Sequence, residues 1–173
     1  GSLEVAVVDA DTSIISWVVV PDPSASAEAT RDQVDSSSEF DGGEGIVFFN
    51  GVVSFTTKGD NRVWSYNTES MHISVIYDAD THPNPILTGV DNMALSKEGE
   101  FIISEDGGDL QIIAITKKNK LVPLMQLVGH DSSEVTGPAF SPDGTRLYFS
   151  SQRGTSGSSS DGMTYEVSGP FHG

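Results

Sequence analysis

The chain has 173 residues, 36% of them hydrophobic and 20% charged, which suits one soluble globular domain and is too short for two ordinary ones. Its 9 basic and 25 acidic side chains give a formal charge of −16, which repels phosphate backbones and anionic lipid and so argues against nucleic-acid and membrane-surface roles. The absence of cysteine excludes disulfides, thiolate zinc sites and a cysteine nucleophile, and the longest apolar runs, such as Ile14 to Val20, are far too short for a membrane span.

The opening Gly-Ser-Leu reads as a cut end with no signal peptide, so a fragment of a longer protein is expected. In chain order, Leu3 to Asp9 and Ile14 to Val20 are predicted strands joined by a turn at Ala10 to Ser13. Residues 1–23 are therefore read as the outer strands of a preceding blade. Asp9-Ala-Asp11, like Asp78-Ala-Asp80, lacks the glycine and distal glutamate of a calcium-binding EF-hand and is read as a hairpin turn. Residues 24–41 are polar and poor in strand formers, an excursion between blades with room for a short helix over Ala27 to Val34.

From residue 42 the chain repeats. Three hairpins turn at Gly51, Gly99 and Gly144, spaced 48 and 45 residues apart. Each is followed by a third strand: Arg62 to Tyr66, Leu110 to Ile115 and Met163 to Val167. The first two units add a fourth, His72 to Tyr77 and Leu121 to Val128. The fold class expected is all-β, with β-propeller blades of four antiparallel strands at about 44–89, 90–133 and 134–173. That makes about three and a half blades, fewer than the roughly 4 to 8 of a typical closed ring. Gly154 to Gly162 has the composition of a mobile loop.

In a propeller the start of each innermost strand and the loop after the second strand share one face. The starts carry Glu44, then Asp91 and Asn92, then Glu134, spaced 47 and 43 residues apart. The loops carry Lys58, Asp60 and Asn61, then Glu105, Asp106 and Asp109, then Gln152 and Arg153, while Lys117, Lys118 and Lys120 fall on the opposite face. Carboxylates and amide oxygens without thiolates suit a hard cation, and calcium fits best because several blades can supply ligands in a flexible geometry. Glu105, Asp106 and Asp109 are read as capping strand ends. The four histidines have no metal-ligand spacing, and His130, just ahead of Glu134, has reach to the same site only as the lesser alternative. No P-loop, His-Glu-x-x-His or Gly-x-Ser-x-Gly motif occurs, so catalysis is expected to be metal-assisted.

The stretch Ser133-Glu-Val-Thr-Gly-Pro-Ala-Phe-Ser-Pro-Asp-Gly-Thr-Arg-Leu-Tyr-Phe-Ser-Ser-Gln-Arg-Gly154, with Gly89-Val-Asp-Asn92 and Gly43-Glu-Gly-Ile46 before it, resembles the PhoX-type alkaline phosphatase family. The likeness runs from about Phe40 to the end, where Thr164-Tyr-Glu-Val-Ser-Gly-Pro-Phe171 resembles the family's C-terminal finish. The resemblance implies the C-terminal half of a six-bladed, extracytoplasmic phosphomonoesterase with calcium and iron (Fe3+) at the channel mouth. It places Glu44, Asp91, Asn92 and Glu134 among the metal-holding acids and amides, with a small phosphate ester as substrate. The family pattern has an arginine and a proline before the glutamate matching Glu44, where this chain has Gly42 and Gly43, and a cysteine iron ligand, which this chain lacks. Lys58 and Arg153 are the candidates to clamp the phosphate. The alternatives are a calcium-dependent lactonase-type hydrolase and a non-catalytic, calcium-stabilised binding propeller. The remaining blades or a second copy are the expected macromolecular partners, because open sheet edges invite pairing.

Overall fold

In the computed structural model, which describes residues 1–169 and Phe171, thirteen strands form four antiparallel sheets. Pro170 of the C-terminal finish, and His172 and Gly173 after it, lie outside the described residues. Strands β1 (Glu4–Val8) and β2 (Ile15–Val19) make a two-stranded sheet. Strands β3 (Gly43–Phe49), β4 (Val52–Thr57), β5 (Arg62–Asn67) and β6 (Ile73–Asp78) make a meander in sequence order. The next meander is β7 (Val90–Leu95), β8 (Phe101–Glu105), β9 (Gln111–Ile115) and β10 (Leu121–Gln126). The last has three strands, β11 (Val135–Phe140), β12 (Arg146–Ser151) and β13 (Met163–Ser168).

The meanders follow from local chemistry. Asn50 and Gly51 both take positive φ, at 49° and 80°, the conformation that a two-residue hairpin turn matched to strand twist requires. Strand β9 is apolar without alternation because both its faces are covered. Ile113 and Ile115 pack with Val63, Tyr77, Leu87, Val90 and Ile103 toward the β3–β6 sheet, and Ile112 and Ala114 pack with Val135, Leu147 and Phe149 toward the β11–β13 sheet. A third cluster, built on Ile15, Tyr66 and Ile73, joins the β1–β2 hairpin to the outer strands of the β3–β6 sheet. The sheets therefore stack in series, and the first strands β3, β7 and β11 lie side by side with β7 in the middle.

No helix forms over Ala27 to Val34, where only a 3-10 turn at Thr30–Asp32 is present. The segment has no apolar face to bury. Its shape is set instead by Gln33, whose amide donates to the carbonyls of Asp22 and Glu28 while its Oε1 accepts from the Asp22 N–H. Among the described residues no helix is long and apolar enough to cross a membrane.

Candidate metal and anion site

Each first strand breaks register near its start. Between Gly43 and Ile46, Val90 and Met93, and Thr136 and Ala139, two residues oppose one on the neighbouring strand. A bulge of this kind re-aims side chains. Glu44 and Asp91 are the first residues of their bulges, whereas Glu134 precedes the first pair of β11, Val135 with Ser151. The three acids that sequence spacing aligns are thus not all equivalent in register. Gly45 shows how tightly β3 meets β7, since a Cβ there would run into the backbone nitrogen of Met93 and the carbonyl carbon of Asn92.

Asp91 is only 7% exposed, and its carboxylate accepts a 2.6 Å hydrogen bond from the Asn92 amide. Thr56 Oγ1, buried in the neighbouring sheet, donates to the Asp91 carbonyl at 2.6 Å and fixes its main chain. Across from Asp91 lies Asp106, in the loop after β8. The loop is held by Glu105, whose buried carboxylate accepts from the N–H groups of Thr88 and Gln111 at 2.8 and 2.9 Å. Asp106 N–H donates to the Gly89 carbonyl, and Gly89, at φ +59°, has no room for a Cβ against the Asp106 carbonyl.

Carboxylate oxygens of Asp91, Asp106 and Glu134 all lie within 4.8 Å of one another. Burial and then the neighbouring Glu44 charge push Asp91 above the ordinary carboxylate range, with Lys58 opposing. Burial, the Asp106 charge and a hydrogen bond to Asp106 push Glu134 up against the pull of Arg153. Burial would raise Asp106 as well, but the Lys58 hydrogen bond and charge, the hydrogen bond with Glu134 and the Arg153 charge together hold it below the usual range.

Two cations rim the acids. Lys58 Nζ donates to Asp106 Oδ2, and the Arg153 guanidinium lies 3.6 Å from Asp106 Oδ1 and 3.4 Å from Glu134 Oε2. Lys58 follows Thr57, which pairs with Gly43, as Asp106 follows Glu105, which pairs with Val90, so these partners occupy matching places in adjacent sheets. Of the residues singled out in the sequence, Asp91 and Glu134 meet in the cluster and Lys58 and Arg153 meet it from the rim. Glu44 is exposed beside it and acts on Asp91 and Lys58 through its charge. Asn92 uses its Oδ1 elsewhere, accepting from Thr136 Oγ1 at 2.6 Å and Gly137 N–H at 2.8 Å, which ties β7 to β11.

Asp106 is the member that sequence reasoning set aside as a cap. Its neighbours Glu105 and Asp109 do serve local hydrogen bonds, the first as above and the second to the Gln111 amide at 3.2 Å. The signal for Asp106 was its place in a second-to-third strand loop on the face where the other acids gather. His130 does not touch the cluster: its Nδ1 pairs with Ser151 Oγ and its ring lies edge-on to Tyr165.

Stacked antiparallel sheets with a carboxylate cluster, buried at Asp91 and half-buried at Asp106 and Glu134 and rimmed by one lysine and one arginine, define an all-β class of protein with a candidate cation site. The chain belongs to the alkaline phosphatase PhoX family, whose match covers residues 54–154, more than half of the sequence. That stretch contains Lys58, Asp91, Asn92, Asp106, Glu134 and Arg153 and stops short of Glu44. Among solved structures it is similar to a structural-genomics protein of unknown function from Bacteroides thetaiotaomicron, at 17% identity and a TM-score of 0.53 over 70% of this chain. The chain spans 29% of the length of that protein, and the likeness concerns the fold alone. No curated protein matches the chain.

Proposed function

We propose that the chain is part of a β-propeller phosphomonoester hydrolase of the PhoX type, working with calcium. The observation that carries the reading is the carboxylate trio Asp91, Asp106 and Glu134 with Lys58 and Arg153 at its edge. The donor set fits a hard cation, since every candidate ligand atom is oxygen, and acids this close repel by roughly 4 kcal/mol per pair at 4 Å and an effective dielectric near 20. Asp91, Asp106 and Glu134 would hold the cation, with Glu44 at the margin and Asn92 steering Asp91. Bound there, calcium supplies positive charge that polarises a phosphoryl oxygen and acidifies water. Lys58 and Arg153 would grip the phosphate oxygens of a small phosphate ester, replacing the arginine whose place Gly42 and Gly43 take. Iron, which the family resemblance implies alongside calcium, would have to do without a cysteine from this chain.

The apolar flank of β3 supports the propeller part of the reading. Ile46 is 68% and Phe48 65% exposed, on the same sheet face whose outer half the β1–β2 hairpin covers. Among the described residues β13 pairs only with β12, so the last sheet also has an open edge. We assign residues 1–23 to a preceding blade, 24–41 to the inter-blade excursion and 42–173 to three blades, with further blades or a second copy covering the open flank and an extracytoplasmic location as in the family.

Melting of the chain in excess EDTA and in millimolar calcium tests the reading. A cation at about 100 times its Kd adds about 2.7 kcal/mol, a rise of roughly 5–10 °C for a chain of this size. Cleavage of p-nitrophenyl phosphate by the full-length protein, lost in EDTA, completes it. An unchanged transition overturns the metal site. The full engagement of Lys58 and Arg153 by carboxylates favours, as second reading, a lactonase-type hydrolase, which needs no phosphate clamp. Cleavage of a lactone without cleavage of the phosphate ester would select it.

A further inference from the structure

His130 stands outside the carboxylate cluster, yet it ends a buried hydrogen-bond chain that reaches both Arg153 and Glu134. The turn Gly129-His-Asp-Ser-Ser133 brings it there: Gly129 takes φ +80°, and Ser133 N–H donates to the His130 carbonyl at 2.7 Å, folding the imidazole back beside the Ser133 side chain. His130 Nδ1 is 2.8 Å from Ser151 Oγ, and Ser151 Oγ is 2.8 Å from Ser133 Oγ. Ser133 Oγ accepts the Arg153 N–H at 2.9 Å. All three side chains are buried, with Ser151 fully excluded from solvent.

One direction gives every member of the chain a partner, with the Glu134 carbonyl, 3.4 Å from Ser133 Oγ, as a longer alternative acceptor. Each hydroxyl has one proton to give. Ser133, already accepting from Arg153, donates to Ser151, and Ser151 donates to the lone pair of Nδ1. That leaves the imidazole proton on Nε2, facing Tyr165 OH at 3.4 Å, while the tyrosine proton turns to Met163 Sδ at 3.2 Å. Without an acceptor at position 130 the Ser151 proton would lose its buried partner, and the serine chain would lose its polarity.

The far end of the chain sits in the site. Arg153 N–H is held by Ser133, Arg153 Nε donates to the Ser132 carbonyl at 2.9 Å, and Gln152 N–H donates to the Glu134 carbonyl at 3.0 Å. These bonds leave the guanidinium spanning Glu134 and Asp106. We propose that His130 is a positioning residue, which through Ser151 and Ser133 holds the Arg153 main chain and so sets the guanidinium and Glu134 against the other acids. The calcium arm of its test rests on the function proposed above; the exchange arm does not.

The test compares His130→Ala with His130→Asn, whose carbonyl oxygen replaces the Nδ1 acceptor, in the full chain well below its melting temperature. Calcium affinity by titration calorimetry and hydrogen exchange at the Arg153 amide are read together. In His130→Ala the Arg153 amide exchanges at least about tenfold faster and the calcium Kd rises about tenfold or more, the range seen when outer-shell partners of metal ligands are removed. His130→Asn keeps both near the starting values. Should His130→Ala not fold, Ser151→Ala cuts the chain at its middle with a smaller loss of volume and is expected to give the same pair of changes. Unchanged exchange overturns the proposal, as does faster exchange with unchanged calcium affinity, which would make the chain purely structural. Failure of Asn to rescue overturns it too. If the unaltered chain binds no calcium, the functional reading falls, and the exchange result alone decides whether His130 holds Arg153.

Discussion

Asn92 is the residue whose role the structure changes most, and its replacement by alanine gives a prediction with a calculable size. Three hydrogen bonds are lost. The bond to the buried Asp91 carboxylate is charge-assisted and is worth about 1.5–2 kcal/mol, the one from Thr136 Oγ1 about 1, and the one from Gly137, whose N–H is open to water, about 0.5 or less. The sum is about 3 kcal/mol, a large share of the roughly 5–15 kcal/mol that stabilises a domain. With a urea slope near 2 kcal/mol/M, Asn92→Ala should move the unfolding midpoint down by about 1.5 M. The measurement is made in EDTA, so that no metal contributes. A shift equivalent to less than about 1 kcal/mol would refute the view that Asn92 clasps β7 to β11, and would return it to service as a ligand whose effect appears only with calcium.

Glu134→Gln should lose the calcium-dependent rise in melting while matching or exceeding the unaltered chain in EDTA at neutral pH. The sign follows from Glu134 lying above its ordinary value: the contribution of its protonated form is complete below the ordinary glutamate value and is lost as pH rises through the folded-state value, so in EDTA the unaltered chain falls behind Glu134→Gln as pH rises. Asp78 has the opposite sign. The Arg62 hydrogen bond, 2.9 Å from Nε to Oδ2, outweighs burial and holds Asp78 low, so its contribution is present above the ordinary aspartate value and lost as pH falls below it, and Asp78→Asn should flatten the acid limb of a melting-temperature profile. Gly45→Ala forces β3 and β7 apart at two backbone atoms and should cost about 2 kcal/mol by thermal melting. Gly43→Ala, with nothing within 4 Å, should be within about 0.5 kcal/mol of the starting chain, and equal effects at the two glycines would show that the close approach is not real.

The strands were legible because their information is local. The alternation in Arg62 to Tyr66, the apolar run of Ile112 to Ile115 and the Asn50-Gly51 turn each state a backbone preference within a few residues, and the structure places strands or a hairpin turn at each. The polar segment over Ala27 to Val34 carried no comparable signal, and one side chain, Gln33, shaped it instead. Repetition likewise exposed the face on which Asp91, Glu134, Lys58 and Arg153 gather, since equal spacing in a repeating sheet puts loops together.

What spacing could not decide was which oxygens point at one another. A bulge starts at Glu44 and Asp91 but follows Glu134, a shift of register invisible in the sequence because it depends on pairing with another strand. Asp106 joined the cluster because Glu105 bridges two backbone amides from separate segments and holds the loop beside Asp91. Asn92 turned toward β11, and His130 toward Ser151, because partners 44 and 21 residues away completed their hydrogen bonds at lower free energy than exposure to the site would. Sequence alone therefore determined the strands, the repeat and the charge of one face. Tertiary packing decided which side chains converge, because a hydrogen-bond acceptor is assigned by whatever donor lies within about 3 Å, and that distance is set only when the sheets stack.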